Sequence, residues 1–235
     1  MAPSRNKLRV LSLQFYCYPD EVGGAWKYTH EVNKRLVKRG HRVFLVTCKP
    51  ADSLPDSEVV DGVQYYRIGV RKSKSAFGLW RAISQKINAI LDHSPIDFIY
   101  VHNPLVGFLA LLNPRLWRIP MVYHFHSLWY EEERINRRAK EEQASFSVQL
   151  ELILNIIRFM EWTCFFSARS ILFLSKYSER KFMSFFPFQK TRLQVIPGGV
   201  DVDVFQPPKE EVKEIRQRLQ LPANRQIVLT VRRLA

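Results

Sequence analysis

The chain alternates short runs of consecutive apolar residues with stretches whose apolar positions recur every three to four residues. Residues 8–15 (LRVLSLQF) are mostly apolar and predict a buried strand. Gly23 and Gly24 then open a helix over residues 25–39. Its apolar positions Ala25, Tyr28, Val32 and Leu36 share one face, and Gly40 provides its stop. Strands follow at 42–47 (RVFLVT) and 63–68, with an acidic, proline-containing loop at 49–61 between them. A helix at 79–91 presents Trp80, Ile83, Ile87 and Ile90 on one side. Two further strands, 97–102 (DFIYVH) and 121–126 (MVYHFH), each end in a histidine and flank a short helix at 105–112. Residues 128–142 are charged and read as a mobile loop. A long helix at 144–166, a strand at 170–174, a helix at 177–186 and a strand at 193–196 complete the series.

Alternating apolar strands and helices predict an α/β, Rossmann-like, doubly wound parallel sheet. In such sheets ligands bind beyond the C-terminal strand ends, where the strand order reverses. Near Gln206 the character changes: a charged helix at 209–219 and a new strand at 226–231 read as the start of a second domain. The expected division is 1–205 for the first domain and 206–235 for a linker and the first elements of a truncated second one.

Charge and cysteine content narrow the function classes. Thirty-six Lys and Arg against 22 Asp and Glu leave a net charge of +14, which favours polyanionic partners. Six of the basic residues fall between 62 and 91 with no carboxylate among them. That stretch reads either as a solvated helix face or as attraction to an anionic membrane surface. No helix-turn-helix or RNA-recognition signature is present, so nucleic acid is not an expected partner. The three cysteines, Cys17, Cys48 and Cys164, are far apart and form no CxxC pair. A disulfide framework and a zinc site are therefore not expected, which suits the cytoplasm, with peripheral attachment to its membrane. The N-terminus imitates a signal peptide, but Arg9 interrupts the apolar part, and a buried strand is the better reading. In residues 150–166 the apolar positions run nearly all round the helix, which favours core packing over a membrane-surface helix.

The candidate chemistry lies at strand ends. The loop 18–24 (YPDEVGG) places two glycines at a helix start, where free amides and the positive dipole end suit phosphate. Taken alone, this loop reads equally well as a tight turn. His124 and His126 fall on one side of their strand with Phe125 opposite, and His102 ends the neighbouring one. No carboxylate or cysteine accompanies them at ligand spacing, so a metal is not expected.

Several phrases together resemble family 4 glycosyltransferases of the GT-B fold. GGAWKYTHEVNKRLVKRGHRVFLVT is similar to that family's GG loop, helix and "L..RGH.V.V.T" opening. IDFIYVHN resembles its "D(I/V)(I/V)H.H" strand, and IPMVYHFHS its "P.V.T.H" strand. SARSILFLSKYSERKF, LQVIPGGVDVDVFQP and IVLTVRRL resemble "AD.(I/V)...S", "(I/V).VIPNGVD...F.P" and "(I/L)L.VGRL". Gly198 stands for the usual Asn, and Arg232 for the usual Gly.

The resemblance implies two Rossmann-like domains facing a cleft, of which this chain holds the N-terminal, acceptor-side one. It implies retaining transfer of a sugar from a nucleotide-diphosphate donor to an acceptor hydroxyl, in glycolipid or cell-surface polysaccharide synthesis. No cofactor or metal is implied. The acceptor would be a glycan or lipid-linked. By the same comparison Gly23, Gly24 and Arg233 contact the donor. Asp20, His102 and Asn103 face the acceptor, and His126 lies beside the reacting sugar as the catalytic position. This chain alone would be inactive. Other classes stay open: a non-catalytic acceptor- or membrane-binding module, or a sugar epimerase or glycogen-type synthase on the same fold.

Overall fold

The structure is a computed structural model. It describes residues 7–69, 75–140, 148–187, 191–207 and 211–228. The chain divides into two units, Met1–Pro197 and Gly198–Ala235.

The first unit is an α/β layer structure in the order β1 (Arg9–Leu13), α1 (Gly24–Lys38), β2 (Arg42–Lys49), β3 (Ser57–Val60), β4 (Val63–Gly69), α2 (Ala76–His93), β5 (Phe98–Val101), α3 (Pro104–Leu111), β6 (Met121–Phe125), α4 (Trp129–Lys140), α5 (Val148–Ser167), β7 (Ser170–Phe173), α6 (Lys176–Phe185) and β8 (Arg192–Val195). The sheet order is β3-β4-β2-β1-β5-β6-β7-β8. All neighbours pair in parallel except β3 with β4. The order reverses between β1 and β5, so the crevice expected of a doubly wound sheet opens beyond Leu13 and Val101. The first apolar run is thus a central strand of the sheet. The second unit carries α7 (Val212–Arg218), whose Arg216 guanidinium donates to the carbonyls of Pro222, Ala223 and Arg225.

The two faces of the sheet pack differently. Leu11, Leu13, Phe44, Val46, Ile99, Val101, Tyr123, Phe125, Ile171 and Phe173 point into an apolar core. That core is closed by Leu79, Ile83, Ile87 and Ile90 of α2, by α3, by Cys164 and Phe165 of α5, and by Phe182 of α6. The close approach of α3 is visible at Gly107, where a Cβ would stand 2.6 Å from Val101 and 3.1 Å from Cys164. The other face holds a smaller cluster under α1, around Val10, Val43, Leu45, Val63, Tyr65 and Tyr100.

The predicted apolar face of α1 does meet the sheet, but it is not the most buried part of the helix. Its buried residues are Thr29, His30 and Asn33, while Val32 and Leu36 are only partly buried. Hydrogen bonds seat this helix. Gln14 donates to Thr29 at 3.2 Å and Asn33 donates to Ser12 at 3.0 Å. His30 joins the Tyr65 hydroxyl at 2.8 Å and the Asp61 carboxylate at 2.9 Å. The same Tyr65 hydroxyl donates to the Tyr18 carbonyl at 2.6 Å.

Two segments read as loops are regular. Within 49–61, β3 forms a hairpin with β4 through Asp61 and Gly62, both at positive φ (49° and 82°). Asp-Gly is the dipeptide such a turn favours. Residues 129–140 are helical, not a loop. Glu131 and Glu132 sit in the first turn, where the helix dipole favours carboxylates. Arg137 pairs with Glu133 one turn away at 2.5 Å, and Lys181 of α6 pairs with Glu131. Core packing describes only one side of α5. Leu154, Ile157, Met160 and Phe165 are buried, whereas Leu152, Ile156, Phe159, Trp162 and Phe166 are exposed. No described helix is long and apolar enough to cross a membrane. Of the strand expected at 226–231, residues 226–228 carry no regular structure and the rest lie outside the described residues.

Arg67, counted in the basic stretch, is not at the surface. Its side chain is fully buried and forms a two-pronged pair with Asp20, at 2.5 and 2.7 Å. It also meets Glu58 at 2.5 Å and donates to the Pro55 carbonyl at 3.3 Å. Removing one partner of such a pair strands the other's charge. Arg67→Met is expected to lower the unfolding free energy by about 3–5 kcal/mol. Asp20→Leu added to Arg67→Met is expected to recover most of that loss. Urea unfolding of the three proteins measures both, and equal destabilisation of single and double variants would contradict the account.

Candidate functional site

Three imidazoles gather at the C-terminal ends of β5 and β6. Tyr100 and His102 alternate on the face that α1 covers, and His124 and His126 do the same one strand over. His102 stacks on both other rings, with centroids 5.6 Å from His124 and 5.6 Å from His126, while His124 and His126 are tilted to each other at 4.8 Å. Tyr28, in the second turn of α1, backs the group at 4.7 Å from His124 and 5.7 Å from His126. The expectation that the two β6 histidines share a side is met, and His102 joins them.

Burial determines the charge of this group. It holds His124 down to about 3 and His126 down to about 4, and it holds His102 well below the usual imidazole range. The neighbouring rings lower His102 and His124 further. All three are therefore neutral at pH 7. The Tyr100 hydroxyl lies 2.8 Å from His124 Nδ1. As an O–H donor to a neutral ring it assigns the remaining proton to Nε2. His124 Nε2 and His102 Nε2 are both buried without a hydrogen-bond partner among the described residues. His102 Nδ1 and His126 Nε2 face each other at 3.4 Å, and His126 Nδ1 has no hydrogen-bond partner among the described residues.

The cavity beside these rings has a volume of about 160 Å³. Gln14 enters it from the end of β1, Ala25 and Trp26 from α1, and His102 with Asn103 from β5. His126, Ser127, Trp129 and Glu132 close the β6–α4 side. Asn103 also caps α3, accepting from the Val106 amide at 3.2 Å. A larger groove of about 420 Å³ lies along Phe159, Trp162 and Phe166 of α5 and reaches Phe185, Phe186 and Pro187. It lies towards the start of β8, at the end of the sheet opposite the crevice.

The two loop glycines are not equivalent. A Cβ on Gly23 would lie 2.6 Å from the Trp26 ring, whereas one on Gly24 would have nothing within 4 Å. Packing demands the first. At the second, the chain simply leaves open space at the helix start. Asp20 is not among the residues lining the cavity, because its carboxylate is held by Arg67. Arg233 lies outside the described residues.

Sequence reasoning missed Glu161. This α5 carboxyl is 1% exposed and accepts from the amides of Trp129 and Tyr130 at 2.6 and 3.3 Å. Burial pushes it up to about 7 despite the lowering effect of the two amides. No local spacing signals it, because its partner is another helix. Gln14, a polar residue closing an apolar strand, did carry a signal.

Each imidazole has a lower pKa in the fold than in the unfolded chain, where ~6.5 is usual. Unfolding therefore takes up protons, so stability is full above pH ~6.5 and falls as the pH drops towards 4. His124→Gln is expected to reduce that fall by about one proton between pH 6 and 5. Urea midpoints across this range check it; an unchanged slope would mean His124 titrates normally.

The family model described as Glycosyltransferase Family 4 matches residues 22–204. The chain is 23% identical to a D-inositol 3-phosphate glycosyltransferase of Thermomonospora curvata, over 91% of this chain and 50% of that protein. It is 24% identical to a probable sucrose-phosphate synthase of Thermosipho melanesiensis, over 81% and 48%. Among solved structures, sucrose-phosphate synthase of Thermosynechococcus elongatus superposes with a TM-score of 0.68 at 17% identity, covering 93% of this chain and 54% of that one. Anabaena Alr3699/HepE in complex with UDP-glucose gives 0.56 at 16%, covering 92% and 50%. The chain thus spans about half the length of these relatives. With the matched segment running from the glycine loop past β8, the chain belongs to Glycosyltransferase Family 4.

Proposed function

We propose that the protein to which this chain belongs transfers a sugar from a nucleotide-diphosphate donor to an acceptor hydroxyl, with retention at the anomeric carbon. The observation that carries this reading is the convergence of His126, His102, Asn103 and the first-turn residues Ala25 and Trp26 of α1 on one cavity where the strand order reverses. Its relatives are named as glycosyltransferases, and one fold neighbour is seen with UDP-glucose. The cavity is smaller than the ~300–1,000 Å³ of complete small-molecule sites, as suits one wall of a cleft.

The roles follow from the chemistry available. A neutral His126 with one free nitrogen hydrogen-bonds a sugar hydroxyl and orients the ring. The α1 N-terminus at Gly24 offers unpaired amides and a positive dipole end to the diphosphate. Transfer breaks the bond from the anomeric carbon to the phosphate oxygen and forms the new glycosidic bond on the same face. The acceptor proton passes to the leaving phosphate, so no protein carboxylate need act as base. In this reading helix amides and basic side chains, Arg233 among them, neutralise the leaving group without a metal. A glycan or lipid-linked acceptor at an anionic membrane surface fits the net charge of +14.

His126→Ala in the full-length protein is expected to lower turnover about 100-fold or more, the scale of a lost transition-state hydrogen bond. Its melting temperature should stay close to that of the parent. Steady-state transfer from a panel of nucleotide sugars, with thermal melts alongside, measures both. Stability and activity falling in step would make His126 a packing residue. Absence of transfer by the parent from every donor would remove the enzymatic reading.

A further inference from the structure

α4 begins only two residues after His126, through Ser127 and Leu128, so the seat of its first turn fixes one wall of the cavity. Two residues of that turn, Trp129 and Glu132, line it. The first amides of a helix have no partner within the helix. In α4 those of Trp129 and Tyr130 are taken by a carboxyl that arrives from α5, 32 and 31 residues along the chain. The carboxyl is buried, so water does not compete for these bonds. Around it stand Glu132 of α4, Tyr123 of β6 and Cys164 on its own helix.

We propose that Glu161 is a positioning residue: by capping α4 from outside, it holds Trp129 and Glu132 in place against His126 and so sets the sugar-side wall of the site. The proposal rests on the transferase reading for its consequence in catalysis, but not for the cap itself. Glu161 does not line the cavity and acts only through α4. Whether ionised or protonated, its carboxyl keeps an oxygen for the Trp129 amide. Glutamine keeps one too, and alanine keeps none.

Two measurements separate this role from general stability. The first is amide hydrogen exchange on this chain. In Glu161→Ala the Trp129 and Tyr130 amides are expected to exchange about tenfold faster or more, relative to amides of β1 and β5. In Glu161→Gln the Trp129 amide should stay protected while Tyr130 loses protection. The second is hydrolysis or transfer from UDP-glucose by the full-length protein. Glu161→Ala should raise KM about tenfold with kcat within threefold, and Glu161→Gln should restore KM to within threefold of the parent. A merely structural carboxyl would reduce the folded fraction, and hence kcat, at constant KM. Unchanged protection at both amides in Glu161→Ala overturns the proposal, as does a kcat loss with constant KM. Should Glu161→Ala not fold, equal protection of the two amides in Glu161→Gln overturns it. If the parent does not process UDP-glucose, the transferase reading is what is weakened, and the exchange data alone decide the cap.

Discussion

A guanidinium with no access to water holds the part of this fold on which the site rests. Arg67 binds Asp20 from the loop after β1, the Pro55 carbonyl ahead of the edge hairpin, and Glu58 on β3. A buried charge of this kind is tolerated only while its partners are all in place. Its neighbour Tyr65 does similar work without charge, joining the Tyr18 carbonyl to His30 and through it to Asp61. Between them the two residues fix both ends of the segment that leads to Gly23 and Gly24. They also fix the height of α1, which carries Tyr28 to the imidazole group.

The contrast between the faces of the sheet has a physical reason. On the side of α2, α3, α5 and α6, apolar burial is non-directional and tolerates small shifts. On the α1 side, the Gln14–Thr29, Asn33–Ser12 and His30–Tyr65 bonds each demand a fixed distance and angle. A helix that, in the proposed reaction, presents its first amides to a diphosphate is better seated by directional bonds than by an oily stripe.

What was legible in the sequence follows the same division. All strands but β3 could be read because they are short and rich in apolar residues, and their alternation with helices implied the parallel sheet. Period-two alternation placed His124 and His126 together. On α1 the apolar side was read, but its most buried positions, Thr29, His30 and Asn33, were missed because they are polar and periodicity counts only apolar ones. α4 was hidden because its charged sequence carries no long apolar face, and two of its partners, Glu161 and Lys181, are far away in sequence. The β3–β4 hairpin was legible in principle, since Asp61-Gly62 stands between Val60 and Val63. The basic stretch at 62–91 was misjudged at Arg67, whose partner Asp20 is 47 residues earlier. α5 was read as core on all sides, yet only one side faces the sheet.

The neutrality of the histidine stack has a consequence for how strongly this wall grips a ligand. Among the described residues around the cavity, Glu132 is the only Asp, Glu, Lys or Arg, so in the proposed reaction an incoming sugar would displace water mainly from dipoles. Exchanging water for imidazole and amide partners is nearly even in free energy, about 0.5–1.5 kcal/mol per bond. Such a wall discriminates by the placement of hydroxyls while releasing its occupant readily. In the proposed transferase such a wall favours turnover, and the grip on a charged leaving group would fall to amides and side chains outside it.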